Sequence, residues 1–198
     1  MEQTIINTIK EIKKLCDYQD NLEKVDMLEK INEMIDETIL EIIKCSKEDD
    51  ELVQVAAIEA LRTIANNDIK TILRNKLSSN SWLVRSYAIE ALGDIQDIQA
   101  KKLVFDRLEN NPHEEEIPRI YYALVKMGSQ DYLEKLINLM NHEYYRIRIA
   151  TANLLEQLMD EQNSNEIISY IRKCYNQENE HSVKMVLRDI INQSKGGR

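Results

Sequence analysis

Five residues, Ala57-Ile58-Glu59-Ala60-Leu61, recur unchanged as Ala88-Ile89-Glu90-Ala91-Leu92, 31 positions further on. Self-similarity at such a period marks a chain built from stacked supersecondary units, none of which buries its apolar face alone. The register extends beyond the identical stretch. Val53 precedes Leu61 by eight residues, as Val84 precedes Leu92, Ile147 precedes Leu155 and Val183 precedes Ile191. Ala123-Leu124 follows Ala91-Leu92 by 32, and Leu155 follows Leu124 by 31. The last step, to Ile191, is 36, so that unit carries a short insertion. Running backward, Leu28, Ile31 and Met34 match Ile58, Leu61 and Ile64, which brings the count to about six units.

Each unit reads as two helices. The first helices are expected at Leu52–Ala65, Ser81–Ile95, Ile117–Met127, Tyr145–Met159 and Ser182–Asn192. Within Ser81–Ile95 the apolar residues Val84, Ala88, Ala91, Leu92 and Ile95 fall on one stripe of a 3.6-residue helix. The second helices are expected at Asp68–Leu77, Asp97–Leu108, Asp131–Met140 and Glu166–Tyr175. Asp68, Asp97 and Asp131 stand near their starts, where a carboxylate caps free amides and opposes the helix dipole. Gly93 and Gly128, the only glycines before residue 196, fall near first-helix ends. There a glycine supplies a left-handed residue or permits close packing. With four Gly and two Pro in 198 residues, the many tight turns of an all-β fold are excluded. Residues 2–17, with Ile5, Ile6, Ile9, Ile12 and Leu15 apolar, read as an amphipathic helix that caps the end of the stack. Residues 22–45 read equally as one long helix or as a hairpin broken near Asp36. The expected organisation is a single domain over 1–198: a capping helix at 1–20, a degenerate repeat at 21–50, regular repeats at 51–193 and a frayed tail at 194–198.

The segment Trp82-Leu83-Val84-Arg85-Ser86-Tyr87-Ala88-Ile89-Glu90-Ala91-Leu92-Gly93-Asp94-Ile95 resembles the first helix of the short HEAT-like, armadillo-type repeat, with Val-Arg, then Ala, then Ala-Leu-Gly. Ile147-Arg148 to Leu158 matches at Ile-Arg and Leu without the Gly, and Val183-Lys184 to Ile191 is a more degenerate copy. The resemblance covers about residues 51–192 and implies an all-α, HEAT-like α-solenoid of about six hairpins with an N-terminal capping helix. It also implies that the registered basic residues Arg85, Arg148 and Lys184 pair with acidic groups of adjacent units and set the stacking angle. The competing reading is a ladder that binds an anion. Residues repeated in every unit serve packing, whereas a site breaks the register.

Charge narrows the partner. Lys and Arg total 26 against 35 Asp and Glu, a net of −9, and residues 1–50 alone carry 14 acidic and 7 basic side chains. Nucleic-acid affinity comes largely from Lys and Arg replacing counterions, so nucleic acid is disfavoured. An acidic surface steers a basic protein partner. No apolar run reaches the ~20 residues that span a bilayer, and Met1-Glu2-Gln3-Thr4 lacks the basic start of a secretory signal. Cys16, Cys45 and Cys174 follow no CxxC spacing, which with the absent signal points to reduced thiols in the cytoplasm. Cys16 and Cys174 fall at apolar helix positions and are expected in the core. His113, His142 and His181 lie in or near inter-helix loops without metal-ligand spacing, and no phosphate-cradle or nucleophile-elbow motif occurs. No cofactor, metal or catalytic residue is expected.

Tyrosine is the distinctive residue: seven of the nine lie within residues 121–175. Tyr132 and Tyr170 are expected to be exposed on the second helices, which line the concave face in HEAT-like stacks, while Tyr87, Tyr122 and Tyr145 are expected to pack. The expected function is non-catalytic protein binding on that concave face. Tyr132 and Tyr170 would anchor, flanked by Glu134, Lys135, Asn138 and Lys173, with the loop Glu114, Glu115 and Glu116 guiding a basic partner. One alternative is an immunity protein neutralising a basic, nuclease-type bacterial toxin. Another is a HEAT-like enzyme such as a DNA glycosylase or bilin lyase, for which the sequence shows no basic groove and no chemical motif.

Overall fold

A computed structural model describes residues 21–160 and 163–196, and every regular element among them is helical. The helices are α1 (Asn21–Cys45), α2 (Glu51–Arg62), α3 (Asn67–Lys76), α4 (Trp82–Asp94), α5 (Lys101–Glu109), α6 (Ile117–Lys126), α7 (Asp131–Asn138), α8 (Tyr145–Leu158), α9 (Ser164–Gln177) and α10 (His181–Gly196). Short 3-10 turns precede α5 (Ile98–Ala100) and α6 (Glu114–Glu116) and follow α7 (Leu139–Asn141). The sequence periodicity therefore locates each regular helix to within a few residues. None of these helices is long and apolar enough to cross a membrane.

Where one domain over 1–198 is expected, the chain divides into two compact units, Met1–Ile64 and Ala65–Arg198. A stack has no common centre, so each repeat contacts chiefly its sequence neighbours and contacts cluster locally. In the first unit α1 and α2 pack on each other, burying Ile31, Ile42, Ala57, Ile58 and Leu61. The segment 22–45, ambiguous in sequence, forms one unbroken helix. Asp50 caps α2, accepting the N–H groups of Leu52 (2.8 Å) and Val53 (3.2 Å). The expected capping helix over 1–20 and Cys16 lie outside the described residues.

In the second unit the first helices α4, α6, α8 and α10 pack one against the next. The second helices lie against them: α3 on α4, α5 on α6, α7 on α6 and α8, and α9 on α8 and α10. The expected stripe of α4 is correct but too narrow, since Ser86, Ile89, Glu90 and Gly93 are buried as well. A helix flanked by neighbours on both sides is covered over more than one face. Gly93 permits this packing: a Cβ placed there would stand 2.8 Å from the Cα of Ala123 on α6.

Gly128 plays the other role a helix-end glycine can play, at φ +88°. There the Ser129 N–H reaches back to the Leu124 carbonyl (2.8 Å). The same turn closes α4 at Gln96 (φ 49°), with the Asp97 N–H on the Leu92 carbonyl (3.0 Å). The expected caps need correction. Asp97 makes no side-chain cap but is buried against Arg74, Asn66 rather than Asp68 caps α3, and Asp131 lies within the first turn of α7. Cys174 is half-buried at the core edge. The segment 194–196, expected to fray, continues α10, with the Ser194 hydroxyl bonded to the Ile191 carbonyl.

Candidate functional site

The registered arginines are closed within the stack. Arg85 donates from Nε and Nη2 to Glu116 (2.8 and 3.0 Å) and from Nη1 to the carbonyls of Ser79 (2.7 Å) and Asn80 (3.0 Å). Arg148 repeats the arrangement two repeats on, with Glu178 (2.9 and 3.0 Å) and the carbonyls of His142 (2.7 Å) and Glu143 (2.9 Å). Lys184 reaches the Glu178 carbonyl at 3.3 Å and lies over the Tyr175 ring, 5.3 Å from its centroid. Each arginine thus spends four of its N–H donors on the preceding turn and on a carboxylate from the next repeat. Burial pushes the carboxyls of Glu116 and Glu178 up. For Glu116, Arg85, the His113 N–H and the charge of Arg107 outweigh it; for Glu178, Arg148 and the N–H groups of Glu180 and Asn179 do. Both carboxyls are held below the usual carboxylate range. These arginines are stacking devices, as the register implies, and not an anion ladder.

Glu116 must be withdrawn from the expected partner-guiding loop. It is fully buried, and a carboxylate committed to Arg85 steers nothing outside. Glu114 is exposed, and Glu115 is half-buried with an oxygen 3.9 Å from Arg146. The tyrosines chosen as anchors are each half-buried. Tyr132 on α7 packs against Tyr121 (centroids 5.5 Å) beneath the Lys135 ammonium, 4.5 Å away. On α9 Tyr170 accepts a hydrogen bond from Asn141 (3.0 Å). Glu134, Asn138 and Lys173 are exposed on the same second helices. Tyr122 is buried as expected, its one O–H proton shared between Asp94 on α4 and Gln157 Oε1 on α8 (3.2 Å). Beside it Arg119 bonds Glu90 (2.8 Å) and lies over the Tyr87 ring, 4.8 Å from its centroid.

Tyr145, expected to pack, is 37% exposed, and Tyr144 is 41% exposed. They stand in a T-shaped pair (5.9 Å) on the turn that enters α8, with Arg146 beside them. Arg146 reaches toward Glu115 on the neighbouring turn. On that turn His113 stacks flat on Trp82 (4.5 Å, 12°), at the start of α4. Backbone amides hold these turns: the Glu115 N–H donates to His113 Nδ1 (3.3 Å) and the Tyr144 N–H to His142 Nδ1 (3.1 Å). Three successive turns thus place Trp82, His113, Glu114, Glu115, Tyr144, Tyr145 and Arg146 along one edge of the second unit.

A cavity of about 300 Å³ near α9 is lined in part by His142, Arg148, Cys174 and Glu178. Its ion pair is closed on itself, and burial pushes the Cys174 thiol up, which favours its protonated form. Among the described residues no group of three or more His, Cys, Asp or Glu side chains is placed to hold a metal ion.

Residues 39–120 match the family model described as HEAT repeats. Over these residues the chain is built of HEAT-like repeats. Among solved structures, it is similar to a chain in the complex of CpcE and CpcF of phycocyanin lyase from Nostoc sp. PCC7120, at 16% identity and a TM-score of 0.52. The likeness covers 77% of this chain and 96% of that one, and at this identity it speaks for the fold. No curated protein matches the sequence.

The HEAT-like register already contained the signal for the turn edge. Trp82, Glu114 and Tyr145 each precede their repeat leucine, Leu92, Leu124 or Leu155, by ten positions. Residues in one register position line up along the stack. An aromatic at the helix start in two of three repeats is a better pointer to an exposed edge than tyrosine density along the chain.

Proposed function

We propose that this HEAT-like chain is a non-catalytic protein-binding module whose partner is basic, and that the partner docks on the edge formed by the turns entering α4, α6 and α8. The observation that carries the reading is the grouping of Trp82, Tyr144, Tyr145 and Arg146 beside Glu114 and Glu115. Trp, Tyr and Arg are the residue types that dominate binding hot spots, because they bury large area at low entropy cost and keep a polar end. Flanking carboxylates favour a basic counterpart and raise its association rate. The turns are held by side-chain-to-backbone bonds, so little ordering cost is incurred on docking. The repeat fold supports an interaction role, and the similar solved chain belongs to a complex of two proteins. Tyr132 and Tyr170, half-buried on the second helices, are secondary contacts in this reading.

Affinity capture from the source cells, followed by mass spectrometry, tests it. The wild-type chain and Tyr132→Ala with Tyr170→Ala are expected to recover the same basic partner, and Tyr144→Ala with Tyr145→Ala to lose it. Equal recovery by the Tyr144 and Tyr145 double variant would reject the turn edge as the docking surface.

A further inference from the structure

Between α3 and α5 of the second unit lies a groove of about 640 Å³, open to solvent. Its walls are the matching faces of the two helices. Thr71, Arg74, Asn75 and Ser78 face Leu103, Asp106, Arg107 and Asn110, each set spaced i, i+3, i+4, i+7. The walls therefore run about two helical turns, roughly 10 Å.

The charges around this groove are paired unevenly. Arg74 is closed on Asp97 by two bonds of 2.5 and 2.7 Å, and Lys102 holds Asp106 at 2.7 and 3.0 Å. Glu116 is shared by two guanidinium groups. Arg85 takes both its oxygens, and the His113 N–H takes Oε2 at 2.7 Å. Arg107 is left with one contact to Oε2 at 3.5 Å, while its Nε is buried without a partner. Glu109 lies near Lys102, beside Asp106, but one carboxylate cannot neutralise two guanidinium ions, so Arg107 carries the positive charge that the Glu116 cluster leaves over. Arg107 lines the groove with its Nε buried, and a guanidinium takes a carboxylate through two parallel bonds.

We propose that this groove is a second binding site, which receives an acidic side chain from an extended protein segment, seated on Arg107. The Asn75 amide lies on the opposite wall, and Leu103, nearly half exposed, offers an apolar contact one turn away. A free small carboxylate is the weaker fit, because small-molecule sites enclose most of their ligand and this groove is open along its length. The site lies on second helices, whereas the basic partner is assigned to the turn edge, so either assignment can fail alone.

The experiment is a titration of the isotope-labelled chain followed by amide NMR. The probe is an acetylated, amidated pentapeptide with a central glutamate between serines and terminal leucines, compared with its glutamine counterpart and with citrate. The glutamate peptide is expected to shift the amides of 71–78 and 103–110 and to bind at least about tenfold more tightly than the glutamine peptide. Arg107→Met should lose about tenfold or more, with the dispersed amide spectrum showing that the chain stays folded. Asp106→Asn, which removes a like charge from the wall, should bind about two- to fivefold tighter. No shift at these amides, equal binding of the two peptides, or full binding by Arg107→Met would overturn the proposal. Citrate matching the glutamate peptide at the same amides would overturn its commitment to a protein segment.

Discussion

Replacing Glu116 by Gln keeps the size of the side chain and removes one charge from a site where two guanidinium groups converge. Arg85 is only 11% exposed in its side chain and Arg107 24%, so water cannot restore the lost carboxylate in full. Breaking a buried pair by removing one partner costs about 3–5 kcal/mol. Two features place Glu116→Gln at the low end: Arg85 keeps its two carbonyl acceptors, and the glutamine oxygen still accepts one bond. The expected loss is about 3 kcal/mol, a fall of about 10 °C in the melting temperature of a unit this size.

The sign of the pH dependence follows from the direction of the shift. The folded carboxyl ionises below its ordinary range, so the wild-type advantage is complete above the unfolded value. It is lost as pH falls through the folded one. Thermal melts by circular dichroism from neutral pH into acid should therefore show the gap between wild type and Glu116→Gln closing as pH falls. A gap under about 1 kcal/mol at neutral pH, or one that persists undiminished in acid, would refute the buried-pair account.

The two interior glycines separate by mechanism. Gly93→Ala presses a methyl onto the backbone of Ala123 and should cost about 1–3 kcal/mol in urea unfolding, because α4 and α6 must move apart. Gly128→Ala meets open space but a left-handed backbone, and should cost about 1 kcal/mol. Tyr122→Phe removes bonds to Asp94 and Gln157 on two neighbouring helices and should cost about 1–3 kcal/mol by the same assay. Cys174 should be alkylated several-fold more slowly than a free thiol at neutral pH, followed by mass spectrometry, since burial raises its pKa and limits access.

The first-helix leucines show what one chain of letters reveals. Their spacing identified the repeat, and local periodicity then placed Trp82–Asp94 or Tyr145–Leu158 within about a residue of the expected ends. Helix type and register are local properties, written in residues three to eight apart. The structural role of Arg85 and Arg148 was also legible, because a charge that recurs in register serves its units in the same way, as it does in these two. Tyrosine exposure was not. Tyr122 and Tyr145 stand in the same stretch of chain, yet one is buried under three helices and the other lies open on a turn.

What the sequence determined by itself was the helical class, the repeat and the bounds of the regular helices. Tertiary structure alone decided that Glu116 is buried, that Asp97 serves Arg74 and not its own helix, and that Arg107 is left with surplus charge. These outcomes depend on which side chain from a neighbouring repeat, 9 to 31 residues away, reaches a given carboxylate first. Distances of that kind are set when the helices stack, and no periodicity in the chain records them.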